Sequence, residues 1–311
     1  MKPIVFVLSL FSSLCFSQSK ANTITPFLED IVTQFPNVRD LAIIENEAFF
    51  SAQSIMGDIS SLVNIKKLNG HWSTPEVAFF SGQFLDMEPF FSEDGLTLYF
   101  VSNRPLESFS TEAKDFDIWY VTRASLGGEW SNPKNIGAPI NTKMDEFYPV
   151  ITKSKNLYFT LDNNELNQKD DIYVSKFVNG IYTKPERLDN TINSNGHEFN
   201  AFVSPDESFM IYTCYNRADG QGSGDLYISY RTDNGWTEAK NLGVDINSDK
   251  MDYCPFVDIH TNILYFTSKR LITPNLKSSV NIDGLITIFN TYENGSSRLY
   301  KTGIDQELNK Q

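Results

Sequence analysis

The feature that most constrains this chain is a unit of about 55 residues that recurs along it. Asp86-Met-Glu-Pro-Phe-Phe-Ser-Glu-Asp-Gly-Leu-Thr-Leu-Tyr-Phe opens one copy, Glu146-Phe-Tyr-Pro-Val-Ile-Thr the next, Glu198-Phe-Asn-Ala-Phe-Val-Ser a third and Asp252-Tyr-Cys-Pro-Phe-Val-Asp a fourth. Pro89, Pro149, Ala201 and Pro255 are equivalent, in steps of 60, 52 and 54. Pro36, 53 residues before Pro89, and the following Asn46-Glu-Ala-Phe-Phe mark a fifth, divergent unit. Two further markers keep the beat. One is an acid ahead of an aliphatic residue, at Asp58, Asp117, Asp171, Asp225 and, more weakly, Asp283. The other is a ring just after glycine, at Trp72, Trp130, Tyr182 and Trp236.

Each unit divides into four short apolar runs separated by turn residues, the pattern of a small antiparallel sheet. In the second unit, Glu93-Asp94-Gly95 is a turn whose glycine can take positive φ. A four-stranded sheet of this size cannot bury enough apolar surface alone. Here both faces of the middle strands carry Phe, Tyr, Ile and Val, so each sheet needs a neighbour on either side. Radial packing around an axis meets that need and leaves only short edges. A solenoid would repeat at a shorter period. The expected fold is an all-β propeller of five four-stranded antiparallel blades, with six as the alternative.

The expected organisation follows. Residues 1–17 read as a secretory signal: Lys2, a mostly apolar run from residue 4 to 14, and a small residue, Ser17, at the cut. Leu14 argues against a lipid anchor on Cys15, because such sites prefer a small residue there. Residues 18–35 form an extension able to add a closing strand to the last blade. The propeller occupies 36–303, with units starting near 36, 86, 146, 198 and 252, and 304–311 is a tail. The run is too short to span a bilayer, and no later segment is long enough. The expected location is the periplasm or the exterior.

With 26 Lys plus Arg against 39 Asp plus Glu, the chain carries a net charge of −13. That argues against a nucleic-acid or anionic-membrane partner. Cys214 and Cys254 are too few for a disulfide scaffold, and one bridge between them stays open as an alternative to two thiols. The three histidines show no zinc spacing.

The repeat resembles the WD-like β-propeller repeat of bacterial envelope proteins. The residues that carry the likeness are Asp86, Pro89, Asp94-Gly95, Leu98-Tyr99-Phe100, Ser102, Arg104-Pro105, Asp117-Ile118-Trp119, Gly128, Trp130, Asn135-Ile136-Gly137 and Asn141-Thr142. It is similar to the periplasmic propeller of the Tol system and to propellers found beside OmpA-like domains. The resemblance implies an envelope setting and, in relatives, binding platforms, scaffolds and a minority of polysaccharide-degrading enzymes.

The favoured functional expectation is a non-enzymatic envelope platform that binds a protein partner or a cell-wall glycan. The alternatives are a polysaccharide hydrolase or lyase using an acidic channel mouth, with Glu146 and Glu198 as its carboxyls, and a passive glycan or cation binder. No cofactor is expected, although Asp86, Glu146, Glu198 and Asp252, opening successive inner strands, would form a ring able to take calcium. The plainer reading is that each of these acids fixes a turn within its own blade. The same holds for Asp58, Asp117, Asp171, Asp225 and Asp283. Trp72, Trp130, Tyr182 and Trp236 are expected to wedge between blades. Residues that break the repeat are the better binding candidates. Glu88, Tyr148, Asn200 and Cys254 share one slot before the equivalent prolines. His197 stands at the mouth. Arg104, Arg217 and Arg270 begin loops expected to crowd one face of the disc.

Overall fold

A computed structural model describes residues 23–107, 109–162, 170–273 and 279–308. The proposed signal, Cys15 and Ser17 lie outside the described residues, as do the loop 163–169 and part of the loop 271–281.

Five antiparallel sheets follow one another along the chain. Blade I is built from Asn37–Ile44, Glu47–Gln53, Ser60–Leu68 and Glu76–Val77. Blade II contains Asp86–Phe91, Thr97–Ser102, Asp117–Thr122 and Lys134–Asn135. Blade III contains Asp145–Ile151, Leu157–Asp162, Asp171–Ser175 and Glu186–Arg187. Blade IV contains His197–Val203, Phe209–Tyr215, Gly224–Thr232 and Lys240–Asn241. Blade V takes Asp252–Asp258, Ile263–Ser268 and Arg298–Gly303 from the end of the chain, and its outermost strand, Thr25–Pro26, from the beginning. The protein is a five-bladed β-propeller.

The repeat markers are explained by the joints between blades. Asn141, Asn193 and Asn247 each accept from, and donate to, the backbone at the start of their own blade's third strand, at Ile118, Ile172 and Leu226. The next residue, Thr142, Ser194 or Ser248, gives its N–H and its hydroxyl to the acid that opens the following inner strand, Glu146, Glu198 or Asp252. One dipeptide thus ties the outgoing blade to the incoming one. In blade I, Ser81 does both jobs, accepting from Leu62 N–H and donating to Asp86.

The core is the set of seams between sheets. Phe49, Phe100, Phe159, Tyr212 and Phe266 are fully or almost fully buried in them. Trp130 of blade II lies against Phe49 of blade I and Phe91, with the Arg123 guanidinium 4.2 Å from its ring. Trp236 is buried with Tyr158 and Tyr212 in another seam.

Three sequence expectations are corrected here. Pairing and the bulge position make Leu41, not Pro36, the blade I equivalent of Pro89, because Asp40 and Glu88 occupy the same bulge. Asp58 sits in an exposed turn, and Ser61 holds the place that Asp117, Asp171 and Asp225 hold elsewhere. Asp283 lies in the first turn of the helix Ile282–Phe289, and its expected place is taken by Arg298. Arg298 donates instead to Phe35 and Pro36 carbonyls, fastening blade V to the entry of blade I.

Candidate active site on the propeller axis

The site begins with a repeated backbone irregularity. Every inner strand loses register with its neighbour at one bulge, between Arg39 and Leu41, Met87 and Phe90, Phe147 and Val150, Phe199 and Phe202, and Tyr253 and Phe256. The bulge re-aims one side chain per blade. Asp40, Glu88, Tyr148, Asn200 and Cys254 all have left-handed φ, between 50° and 57°. None is glycine, so each holds a sparsely populated conformation that the fold must enforce.

These five side chains meet across blades, which places them on the axis. Arg39 gives Nε to Asp40 Oδ1 and Nη2 to Glu88 Oε1, each at 2.7 Å. Glu88 also accepts from Tyr148 N–H at 2.6 Å and from Asn200 Nδ2 at 3.3 Å. Cys254 Sγ donates to Asn200 Oδ1 at 3.4 Å, and Tyr148 Oη donates to Pro255 O at 2.9 Å. Asp40 Oδ2 is buried with no hydrogen-bond partner among the described residues. Burial pushes the Glu88 carboxyl up to about 7, against the pull of Arg39, and the Asp40 charge adds to the push. Burial likewise lifts the Cys254 thiol far above its usual range, so it stays protonated.

One layer outward, Arg39, Met87, Phe147, Phe199 and Tyr253 wall a cavity of about 200 Å³ that has Glu88 and Asn200 on its floor. Asp170 stands in the same wall, and its Oδ2 is 3.1 Å from His197 Nδ1. The other end is closed. Glu88, Pro89, Phe90, Tyr148, Pro149, Pro255 and Phe256, with Leu41, leave only about 10 Å³ between them, room for one water at most. The axis is therefore a blind pocket with a buried acid at its base, not a pore.

The structure brings Glu88, Tyr148, Asn200 and Cys254 together on the axis and sets His197 against Asp170 at the mouth. It does not bring the strand-opening acids together. Asp86, Glu198 and Asp252 have no exposed surface, and each pairs with an arginine of its own blade: Arg104 at 2.6 Å, Arg217 at 3.0 Å and Arg270 at 3.2 Å. Glu146 is equally buried; burial raises its carboxyl to about 8, partly offset by Thr142, and Oε2 has no partner among the described residues. These acids brace blades and do not line an open mouth, so Glu146 and Glu198 are not placed as a catalytic pair. Among the described residues, no three His, Cys, Asp or Glu groups converge as a metal site.

The arginines are corrected with them. Arg104, Arg217 and Arg270 turn inward, over Phe100, Tyr227 and Phe266, and are not presented to a partner. Of the other repeat acids, Asp117 accepts from Asn135, Asp171 takes Arg187 through both oxygens, and Asp225 accepts from Asn241. Trp72 lies under Lys67, and Tyr182 packs edge-on to Phe177. Cys214 and Cys254 are both free thiols. Sequence reasoning missed Arg39, Asp40 and Asp170. The first two sit in the blade that lacks both the opening acid and the proline, so no marker pointed to them. Asp170 precedes a repeat acid and reads as part of a loop.

No protein-family profile matches the chain, and no curated protein does. Solved structures do. The catalytic domain of a GH62 α-L-arabinofuranosidase from Coprinopsis cinerea is similar over 86% of this chain and 91% of its own length, at 12% identity and a TM-score of 0.51. A GH43 endo-arabinanase from Bacillus licheniformis covers 86% and 93%, at 13% identity and 0.49. A structure described as a putative TolB from Agrobacterium tumefaciens covers 74% and 69%, at 13% identity and 0.45. At these identities the likeness is one of fold. The expectation of a non-enzymatic, WD40-like, protein-binding platform is overturned. Its loop arginines are locked inward, and over 86% of the chain the fold is similar to that of the catalytic domain of an α-L-arabinofuranosidase.

Proposed function

We propose that this protein is a sugar-active propeller that takes the end of a glycan into the axial pocket and hydrolyses a glycosidic bond there. The observation that carries the reading is Glu88: a buried carboxyl, held near neutrality, at the floor of a blind cavity that contains a second carboxyl, Asp170. Glycoside hydrolysis needs one carboxylic acid to protonate the leaving oxygen and another to activate water or attack the sugar.

In this reading Glu88 is the proton donor, since a group with a pKa near the working pH can both give and regain a proton. Asp170 is the second carboxyl, oriented by His197. Arg39 and Asn200 hold Glu88 Oε1 in place, and the Tyr148 N–H holds Oε2. Phe147, Phe199 and Tyr253 supply apolar walls for the sugar's C–H faces. The closed far end favours removal of terminal units over cleavage within a chain. The shared fold of glycosidase propellers supports the same class of chemistry. The sequence expectation of a secretory signal at residues 1–17 is consistent with action outside the cytoplasm.

The test is release of nitrophenol or reducing sugar from a panel of aryl glycosides, arabinan and xylan. Active protein should lose at least about 100-fold in kcat in Glu88→Gln and in Asp170→Asn. No turnover by the parent protein across the panel, or equal rates in Glu88→Gln, would sink the proposal.

A further inference from the structure

Two seams of the ring are closed on one plan, and a third, lying between them, is left open. In the seam between blades I and II, the hairpin of the later blade closes the gap: Trp130 covers Phe49, which is 1% exposed, while Arg123 lies beneath it, paired with Glu47. In the seam between blades III and IV, Trp236 performs the same closure with Arg231 5.1 Å from its ring. Tyr158, the equivalent of Phe49, is 2% exposed there, and its hydroxyl donates to Glu207 at 2.8 Å.

The seam between blades II and III departs from this plan at three positions at once. Tyr182 stands where the others have tryptophan. Phe177 stands where Arg123 and Arg231 stand. Lys155 occupies the turn position of Glu207, with the same left-handed backbone, φ 66° against 59°, and the same hydrogen bond back three residues. The smaller ring does not cover the blade behind it, and a lysine cannot accept from a phenol. Tyr99, the equivalent of Tyr158, is therefore half-buried, and none of the described residues takes its hydroxyl. The result is a groove of about 590 Å³, in the size range of small-molecule and oligomer sites.

Its lining is specific in kind. Tyr99 and Tyr120 lie with ring centres 6.0 Å apart on one wall, and Phe177 and Tyr182 form the other, 5.1 Å apart. The hydroxyls of Tyr99, Tyr120 and Tyr182 have no hydrogen-bond partner among the described residues. Exposed Glu93, Asp94, Lys153 and Lys155 ring the edge with both signs of charge. Flat apolar faces combined with unpaired hydroxyls and mixed-charge donors and acceptors match a sugar, which has C–H faces and many hydroxyls. They match a lipid or a strongly charged ligand poorly.

We infer that the groove between blades II and III is a second carbohydrate site, holding a neutral oligosaccharide on the side of the disc, separate from the axial pocket. The ligand class rests on the sugar-active reading above; the groove itself does not. It would grip a polymer at a distance from the point of cleavage and raise the local concentration of chain ends.

The experiment is titration calorimetry with arabinohexaose and xylohexaose. The proteins are the parent, Glu88→Gln, and a variant with Tyr182→Trp, Phe177→Arg and Lys155→Glu. That variant rebuilds the seam with side chains the other seams already use, so it should fold, and unchanged or higher Tm verifies this. Binding by the parent with a Kd in the range of about 0.01–1 mM, kept in Glu88→Gln and weakened at least tenfold in the rebuilt seam, supports the site. If the rebuilt seam fails to fold, Tyr120→Ala serves in its place, with the same expected loss. Equal binding by the parent and a folded seam variant, or no binding by the parent to either sugar, overturns the proposal. Failure of the axial reading looks different: no turnover, with the groove's binding intact.

Discussion

Replacing Arg104 by alanine tests the account of the repeat most directly. Arg104 Nη2 donates to Asp86 Oδ1 at 2.6 Å and to Phe80 O at 2.9 Å, while Nε donates to Ser102 Oγ at 2.8 Å. Asp86 has no exposed surface, and without the guanidinium it keeps, among the described residues, only Ser81 as a side-chain donor at 2.7 Å. Breaking one side of a buried pair leaves an uncompensated charge and costs about 3–5 kcal/mol. For a domain of this size each kcal/mol lowers Tm by about 2–4 °C, so the fall should be roughly 6–20 °C. Removing both charges behaves differently, because an apolar pair of similar volume restores most of the loss. Arg104→Met with Asp86→Leu should therefore melt well above Arg104→Ala. Urea unfolding followed by far-UV circular dichroism gives both numbers. Arg231→Ala is the control: this arginine is exposed over Trp236, and its loss should cost less than about 1 kcal/mol. The reasoning is refuted if Arg104→Ala costs no more than the control, or if the double variant is no better than the single one.

Two further outcomes follow from buried carboxyls. Glu207 accepts from Thr152, Ser154, Asn156 and Tyr158 across a seam; burial opposes its ionisation, but these donors win and hold its carboxyl below the usual range. Its contribution is present above the ordinary glutamate pKa and lost as pH falls, so Glu207→Gln should reduce Tm at pH 7 and much less at pH 3, read by calorimetry. Glu88 has the opposite sign. Its folded pKa is raised, so its contribution is greatest below the ordinary value and is lost as pH rises through about 7. Glu88→Gln should remove that decline, and parallel Tm–pH curves for the two proteins between pH 4 and 8 would contradict the burial argument.

The blades were legible because each must solve the same local problem. Asn193 and Ser194 clamp one strand and the next blade's acid, so selection of those residue types recurs wherever that joint recurs. The site was less legible because it depends on which side chains cross the axis. Glu88, Tyr148, Asn200 and Cys254 could be aligned as one slot, but Arg39 and Asp40 could not, since blade I has Val38 in place of the acid and Leu41 in place of the proline. Pro36 was the nearest proline and drew the alignment five residues off. The loop arginines were misread for a related reason. Arg104 lies two residues past a strand end, where sequence alone suggests exposure, whereas its partner lies 18 residues earlier at the start of the inner strand. The open seam is visible once the plan is known: Tyr182 breaks a tryptophan series, and Phe177 breaks a series of cations.

Thr25–Pro26 hydrogen-bonds along Arg298–Gly303, so a strand that precedes the first blade completes the sheet of the fifth. In a chain made amino end first, half of this clasp, Thr25–Pro26, precedes all five blades, and the other half, Arg298–Gly303, follows the other strands of the fifth. Until then the ring is open, and the axial acid of the second blade, whose hydrogen-bond partners come from the first, third and fourth blades with Pro255 and Phe256 of the fifth beside it, lacks part of its surroundings. The surroundings of Glu88 are therefore complete only when the loop of blades shuts.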